Sequence, residues 1–290
     1  MNHINKSMIY PSLSLRRSAV VIFVSIIVII TSGAILADVV TSRDPVLQDV
    51  TNRLAPPGEE FIFGSDNFGR DVFSRVVYGA RSSLFISIVS VTIGTSIGAV
   101  VGTVTAYRGG ILDLVSQRLM DTLLGFPSLV LAVILVVTLR PSVSTITIAI
   151  AVALIPQIVR LSRARTLSLK EENFVVAARG IGAPSWQVIF RHVLPHSLGP
   201  IVSYSFGYVS VALVAESALS FLGLGVPPPL PSWGGMIQEG RIFFEVAPWL
   251  IIFPGLTLAL TAVSFAILGD LLRDIFDPRE RTVPSRDSKQ

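Results

Sequence analysis

The chain has 290 residues, of which 51% are hydrophobic and 14% charged, with a formal net charge of +4 and no cysteine. Soluble domains carry about 25% charged residues, so this composition excludes an ordinary water-soluble globule. The lack of thiols excludes disulfides, thiolate metal sites and cysteine nucleophiles.

The first predicted element is an apolar run over 19–37, preceded by Arg16 and Arg17. It exceeds the about 7–15 residues of a secretory apolar core and is followed by further spans, so it reads as an uncleaved helix. Five more nearly charge-free runs follow at 83–107, 122–139, 143–159, 198–222 and 246–269. Each is near the about 20 residues needed to cross a bilayer core. The expected fold is all-α, a polytopic membrane helical bundle of six transmembrane helices. Basic residues resist translocation, and most of them fall before the first span, at Arg108 and Arg118, between Arg160 and Arg191, and after Arg273. Both termini are therefore expected on the cytoplasmic side. The expected organisation is 1–82 (N-terminal segment, first span and outer loop), 83–272 (a five-helix core with a cytoplasmic loop at 160–196) and 273–290 (a cytoplasmic tail).

In the outer loop, Gly64, Gly69 and the Asp/Asn residues between them predict tight turns. Asp71 is placed to cap a helix entering the second span through Arg75, Tyr78 and Arg81. The Asp66/Asp71 pair lacks the ligand ladder of a calcium loop, and turn or ion-pair roles are expected of it. The second span carries Gly94, Gly98 and Gly102, with Ser90 and Ala106 extending the row. Residues four apart share a helix face, so two backbones can approach closely there, either inside this bundle or against a partner. Pro127, Pro156, Pro200 and Pro254 lie in or near later spans and permit bends.

The segment Glu171 to Gly182 is a polar insert between apolar spans. It predicts a short helix with Ala177 and Ala178 on one side, where another surface can come close, and a positive φ at Gly182. On the fifth span, Ser203, Gly207, Ser210 and Ser217 share an arc, suited either to a wet path or to helix packing. Glu216 falls away from that arc, nearer Ser205. An acid at that depth needs water, an Arg or hydrogen-bond donors, and either structural pairing or a role in gating is open to it. The proline-rich stretch 226–234 with Trp233 forms a stiff outer lip.

No phosphate-cradling Gly-x-x-x-x-Gly-Lys-Ser/Thr motif occurs. His192 and His196 are four apart, but Pro195 between them is expected to spoil the helix, and no third ligand is near. No catalytic, cofactor or metal site is expected, and the basic runs are topological, with no nucleic-acid partner implied.

Three motifs carry a family likeness. They are Gly64-Ser65-Asp66 with Gly69-Arg70-Asp71-Val72 and Tyr78-Gly79-Ala80-Arg81; Val175 to Pro195, ending Arg191-His192-Val193-Leu194-Pro195; and Leu219 to Gly225 with Pro231-Ser232-Trp233-Gly234. The chain resembles the C-type permease subunit of the dipeptide/oligopeptide/nickel group of ABC importers. That resemblance implies the type I ABC-importer permease architecture, in the cell inner membrane. It implies a loop coupled to an ATPase, carried here by Glu171, Glu172, Ala177, Ala178, Gly182, Leu194 and Pro195. A translocation path or gate would fall to Ser203, Ser210, Glu216 and Ser217, and helix packing to Gly94, Gly98 and Gly102. The implied partners are a second permease subunit, two cytoplasmic ATP-binding subunits, an extracytoplasmic solute-binding protein and the lipid bilayer. Hydrolysis of ATP would belong to the partner subunits.

Short peptides are the favoured cargo, with nickel chelates, glutathione and oligosaccharides as alternatives. A secondary transporter using Glu216 as coupling acid is the rival class. Two positions depart from the family pattern: Val176 stands where Glu is common, and His196 where Asn is frequent. Glu171 and Glu172, about one turn earlier, are the available acidic substitutes.

Overall fold

The computed structural model describes residues 13–276, which form helices and connecting turns with no β-strand among them. Lys6 and most of the 273–290 tail lie outside the described residues. In chain order the helices are α1 (Leu13–Ile35), the short α2 (Ala37–Val40), α3 (Val72–Arg108), α4 (Gly110–Leu124), α5 (Ser128–Leu139) and α6 (Val143–Leu169). There follow α7 (Asn173–Gly180), α8 (Ser185–Val188), α9 (Leu194–Phe221), α10 (Trp233–Gly240) and α11 (Trp249–Phe276).

Five of these helices are long and apolar enough to cross a membrane, and α4 with α5 make a sixth candidate, bent by 87° at its break. The apolar run 122–139 is thus not one straight span. Gly125 and Pro127 interrupt it, because proline supplies no N–H and disfavours helix at the residue before it. The 12 residues of α5 rise about 18 Å, short of the about 30 Å hydrocarbon core.

Helix α3 begins earlier than its charge-free run, at Val72, so the boundary drawn at residue 82 falls inside a continuous helix. Asp71 caps it, accepting from the Ser74 backbone N–H at 2.8 Å and the Ser74 hydroxyl at 2.6 Å. The arginines that interrupt the apolar pattern are paired, which is why the helix tolerates them. Arg75 lies 3.4 Å from Asp66 and 3.2 Å from Glu239, and Arg81 lies 2.9 Å from Asp38. The hydrogen bond from Tyr78, and then Arg81, holds the Asp38 carboxyl below the usual carboxylate range.

The small-residue row on α3 faces α6, in parallel register. Ser90 donates to the Thr147 carbonyl at 2.9 Å. Gly94 then meets Ala151, Gly98 meets Ile158, and Gly102 meets Val159 and Ser162. A Cβ added at Gly102 would sit 2.5 Å from the Val159 carbonyl oxygen, so only glycine permits this approach. The seam lies inside this subunit. A second close approach joins α9 to α11, where a Cβ on Gly269 would lie 2.5 Å from the Gly207 nitrogen. Gly207 therefore packs against a neighbouring helix.

Helix α6 runs on to Leu169, so the first part of the expected 160–196 loop is helical and the excursion proper spans 170–193. Pro156, Pro200 and Pro254 are accommodated within α6, α9 and α11.

Candidate functional site

The excursion between α6 and α9 is a small platform with its own core. Val175 and Ala178 of α7, Val188, Ile189 and Val193 pack together with Tyr107 near the end of α3. The Lys170 ammonium lies 5.6 Å from the Tyr107 ring centroid. Helix α7 ends in two linked hydrogen bonds: Ala183 N–H donates to Ala178 O at 3.1 Å, and Gly182 N–H to Arg179 O at 3.0 Å. This paired closure requires the left-handed φ of +82° that Gly182 adopts. The chain then passes through α8 and one π-turn (Ile189–Val193) into α9.

Pro195 does not spoil the helix as the sequence suggested. The helix runs unbroken over Ser185–Phe221, and the π-turn at Ile189–Val193 just before Pro195 accommodates its missing N–H. His196 accordingly stays in register, with Nδ1 2.6 Å from the His192 carbonyl oxygen. Its ring stacks on Phe174 at 4.7 Å between centroids, fastening the start of α7 to α9.

The two alanines of α7 part company. Ala178 is 8% exposed and belongs to the platform's own core, while Ala177 is exposed. Ala178 thus packs inward, because the three-residue step from Val175 puts both on the same face. Glu171, Glu172, Gly182 and Pro195 are exposed, and Leu194 is half-buried. The outward surface also presents apolar side chains the sequence did not single out: Val176 at 53% exposure, Ile181 at 87% and Trp186 at 64%. The apolar residues flanking Gly182 were the available signal. A turn outside the spans has no folding reason to expose Ile and Trp.

At the opposite end, Glu216 is fully buried. One oxygen accepts from Ser220 at 2.8 Å, and the other from Ser83 at 3.2 Å and Ser217 at 3.4 Å. It is partnered by hydroxyl donors from α3 and α9 and does not face Ser205. Ser203 is also buried, donating to the Gly199 carbonyl at 2.9 Å, and Ser210 is half-buried. The arc of small residues on α9 is thus largely spent on packing.

Another set of hydroxyls lines an open cleft of about 450 Å³ between α3, α9 and α11. Thr92, Thr95 and Ser96 of α3 face Ser205 of α9 there, among apolar side chains including Val202, Phe206 and Phe265. The Thr95 and Ser205 hydroxyls meet at 2.9 Å and bridge the two helices. Sequence reasoning passed over these residues, although the spacing of Thr92, Thr95 and Ser96 puts them on one helix face.

The loop between α2 and α3 is held by a buried charge cluster. Asp66 lies 2.6 Å from Arg70 and 3.4 Å from Arg75, and both arginines reach Glu239 of α10, at 2.8 and 3.2 Å. Trp249 donates its indole N–H to the Ser65 carbonyl at 3.1 Å, closing the loop onto α11.

Residues 94–282 match the family described as the binding-protein-dependent transport system inner membrane component. The chain belongs to that family. This permease is 40% identical over 259 residues to a dipeptide transport system permease protein, DppC, of Alkalihalophilus pseudofirmus, covering 88% of this chain and 85% of that one. It is 39% identical over 269 residues to a putative peptide transport system permease of Brucella suis, covering 91% and 89%. It is 39% identical over 223 residues to the glutathione transport system permease GsiD of Pectobacterium atrosepticum, covering 77% and 74%. The permease is a multi-pass inner-membrane component of an ABC importer and works with ATPase and binding-protein partners.

Proposed function

We propose that this permease supplies one half of a translocation path for short peptides and pairs with a second permease subunit, two cytoplasmic ATP-binding subunits and an extracytoplasmic binding protein. In this arrangement both termini and the 170–193 platform are cytoplasmic, and the outer loop faces the binding protein. The observation that carries the coupling role is the platform itself, a rigid knob with its own core that exposes Val176, Ala177, Ile181 and Trp186. Those side chains fit an apolar groove on an ATPase, and exposed Glu171 and Glu172 supply the acidic contact that Val176 does not. Ala178, Leu194 and Pro195 shape the knob, and Gly182 closes it.

Peptide cargo is supported by the relatives named for dipeptide, peptide and glutathione transport. The hydroxyl-bearing cleft at Thr92, Thr95, Ser96 and Ser205 is the stretch of this subunit best suited to a wet passage. Glu216, Ser203 and Ser217 act as structural pairs, since their polar atoms are satisfied within the chain. A coupling acid for an ion gradient needs contact with water, which Glu216 lacks in this conformation.

The test is reconstitution of the whole complex in vesicles. Adding peptide-loaded binding protein is expected to raise ATP hydrolysis and drive uptake. Trp186→Ala is expected to remove both while the two permeases still copurify. Uptake driven by a proton gradient without ATP would overturn the proposal. For orientation, an impermeant thiol reagent added outside intact cells is expected to label Glu59→Cys and to miss Ser168→Cys.

A further inference from the structure

We propose that α4 is an interfacial helix that lies in the cytoplasmic leaflet and docks on anionic lipid headgroups, which goes beyond the importer mechanism and rests on the proposed orientation and on α6 crossing the bilayer with α5 inserted beside it. Its amphipathicity is reversed relative to a helix on a soluble core. Asp113, Ser116, Gln117 and Met120 turn toward the bundle, whereas Ile111, Leu112, Leu114, Val115 and Leu119 are exposed. Exposed Leu, Ile and Val on nearly half the circumference require an apolar surrounding.

Geometry identifies that surrounding. Asp121 at the end of α4 pairs with Arg160 at 2.6 Å, and α5 then runs back along α6 to the short turn before Val143. Helix α4 is bent 87° from α5, so it lies across the bundle, in the plane of the membrane. Its other ion pair, Asp113 with Arg163, has both N–O distances at 2.8 Å. These pairs fix α4 at the level where α6 acquires its first basic residues, the headgroup level. Gly109 and Gly110, with φ of +68° and +61°, turn the chain from α3 into this plane.

Charge supplies the headgroup preference. Both aspartates of α4 are consumed by α6, whereas Arg118 on the apolar face and Arg108 just before the helix have no ion-pair partner among the described residues. A long Arg stem lies along acyl chain while its guanidinium reaches a phosphate. A second permease seated on this face would instead have to bury both cations or supply two carboxylates.

The chain has no native cysteine, so single labels report cleanly. Leu112→Cys, Val115→Cys and Leu119→Cys, each carrying a nitroxide, are placed in the complete complex in nanodiscs of phosphatidylethanolamine and phosphatidylglycerol. All three labels are expected to collide more often with oxygen than with a water-soluble nickel chelate. Arg118→Gln, or discs of phosphatidylcholine alone, is expected to shift that balance toward the chelate. Chelate-dominated collisions in the unaltered discs would overturn the proposal by placing α4 in water. Protection from both reagents, with cross-linking to the second permease, would overturn it in favour of a protein contact. ATP-dependent uptake measured on the cysteine-free chain separates this outcome from the fate of the importer reading.

Discussion

The Ser83 hydroxyl donates to the Glu216 carboxylate at 3.2 Å and accepts the Trp233 backbone N–H at the same distance. One serine thereby joins two spanning helices to the start of α10. Gly234 allows the close approach that makes this geometry possible, since a Cβ there would lie 2.5 Å from the Ser217 Cα.

Replacing Glu216 by Ala leaves the hydroxyls of Ser83, Ser217 and Ser220 without their shared acceptor. The expected loss is about 1–3 kcal/mol, and Glu216→Gln, which keeps the shape and one acceptor oxygen, should lose less. Thermal unfolding of the purified complex, followed by fluorescence-detected size exclusion, ranks the two variants. Equal stability of Glu216→Ala and the unaltered chain would remove the carboxylate from its structural role.

Along the α3–α6 seam, Gly102→Ala is expected to cost about 1–3 kcal/mol through overpacking against Val159 and Ser162. Gly33→Ala serves as the opposite case, because no atom lies within 4 Å of the added Cβ. There the change should be neutral or stabilising by up to about 1 kcal/mol through helix propensity. The same melting assay reads both.

On the platform, Ala178→Trp is expected to unfold the 170–193 excursion, because the side chain it enlarges is one of the small core's own. Protease sensitivity of that segment should rise sharply. Trp186→Ala and Ile181→Asp should leave the segment resistant and instead weaken recovery of the ATPase with the permease. If Ala178→Trp left the platform resistant, its inward placement would be wrong.

The outer cluster predicts a wide contrast between two arginines. Arg75 is buried between Asp66 and Glu239, so Arg75→Met leaves those two carboxylates sharing Arg70 as their remaining cation and is expected to cost about 1–3 kcal/mol. Arg43 pairs with Glu60 at the exposed surface, and Arg43→Met should cost less than about 1 kcal/mol. Thermal midpoints of the two variants at matched salt test the difference.

Hydropathy along the chain was enough to establish an all-helical membrane bundle, because the bilayer sets both the length and the composition of what can cross it. The positive φ at Gly182, the Asp71 cap and the close-packed face of Gly94, Gly98 and Gly102 were likewise legible, each being a local consequence of residue type and spacing. What faces what was not legible. Only packing turned Ala178 inward and left its neighbour Ala177 outside, and only packing brought Ser83 and Ser220 onto Glu216 while sending Ser205 to Thr95. The 87° break inside an apolar run and the inverted face of α4 were hidden for the same reason. Apolarity records that a side chain avoids water, but whether protein or lipid excludes that water is decided by where the neighbouring helices lie.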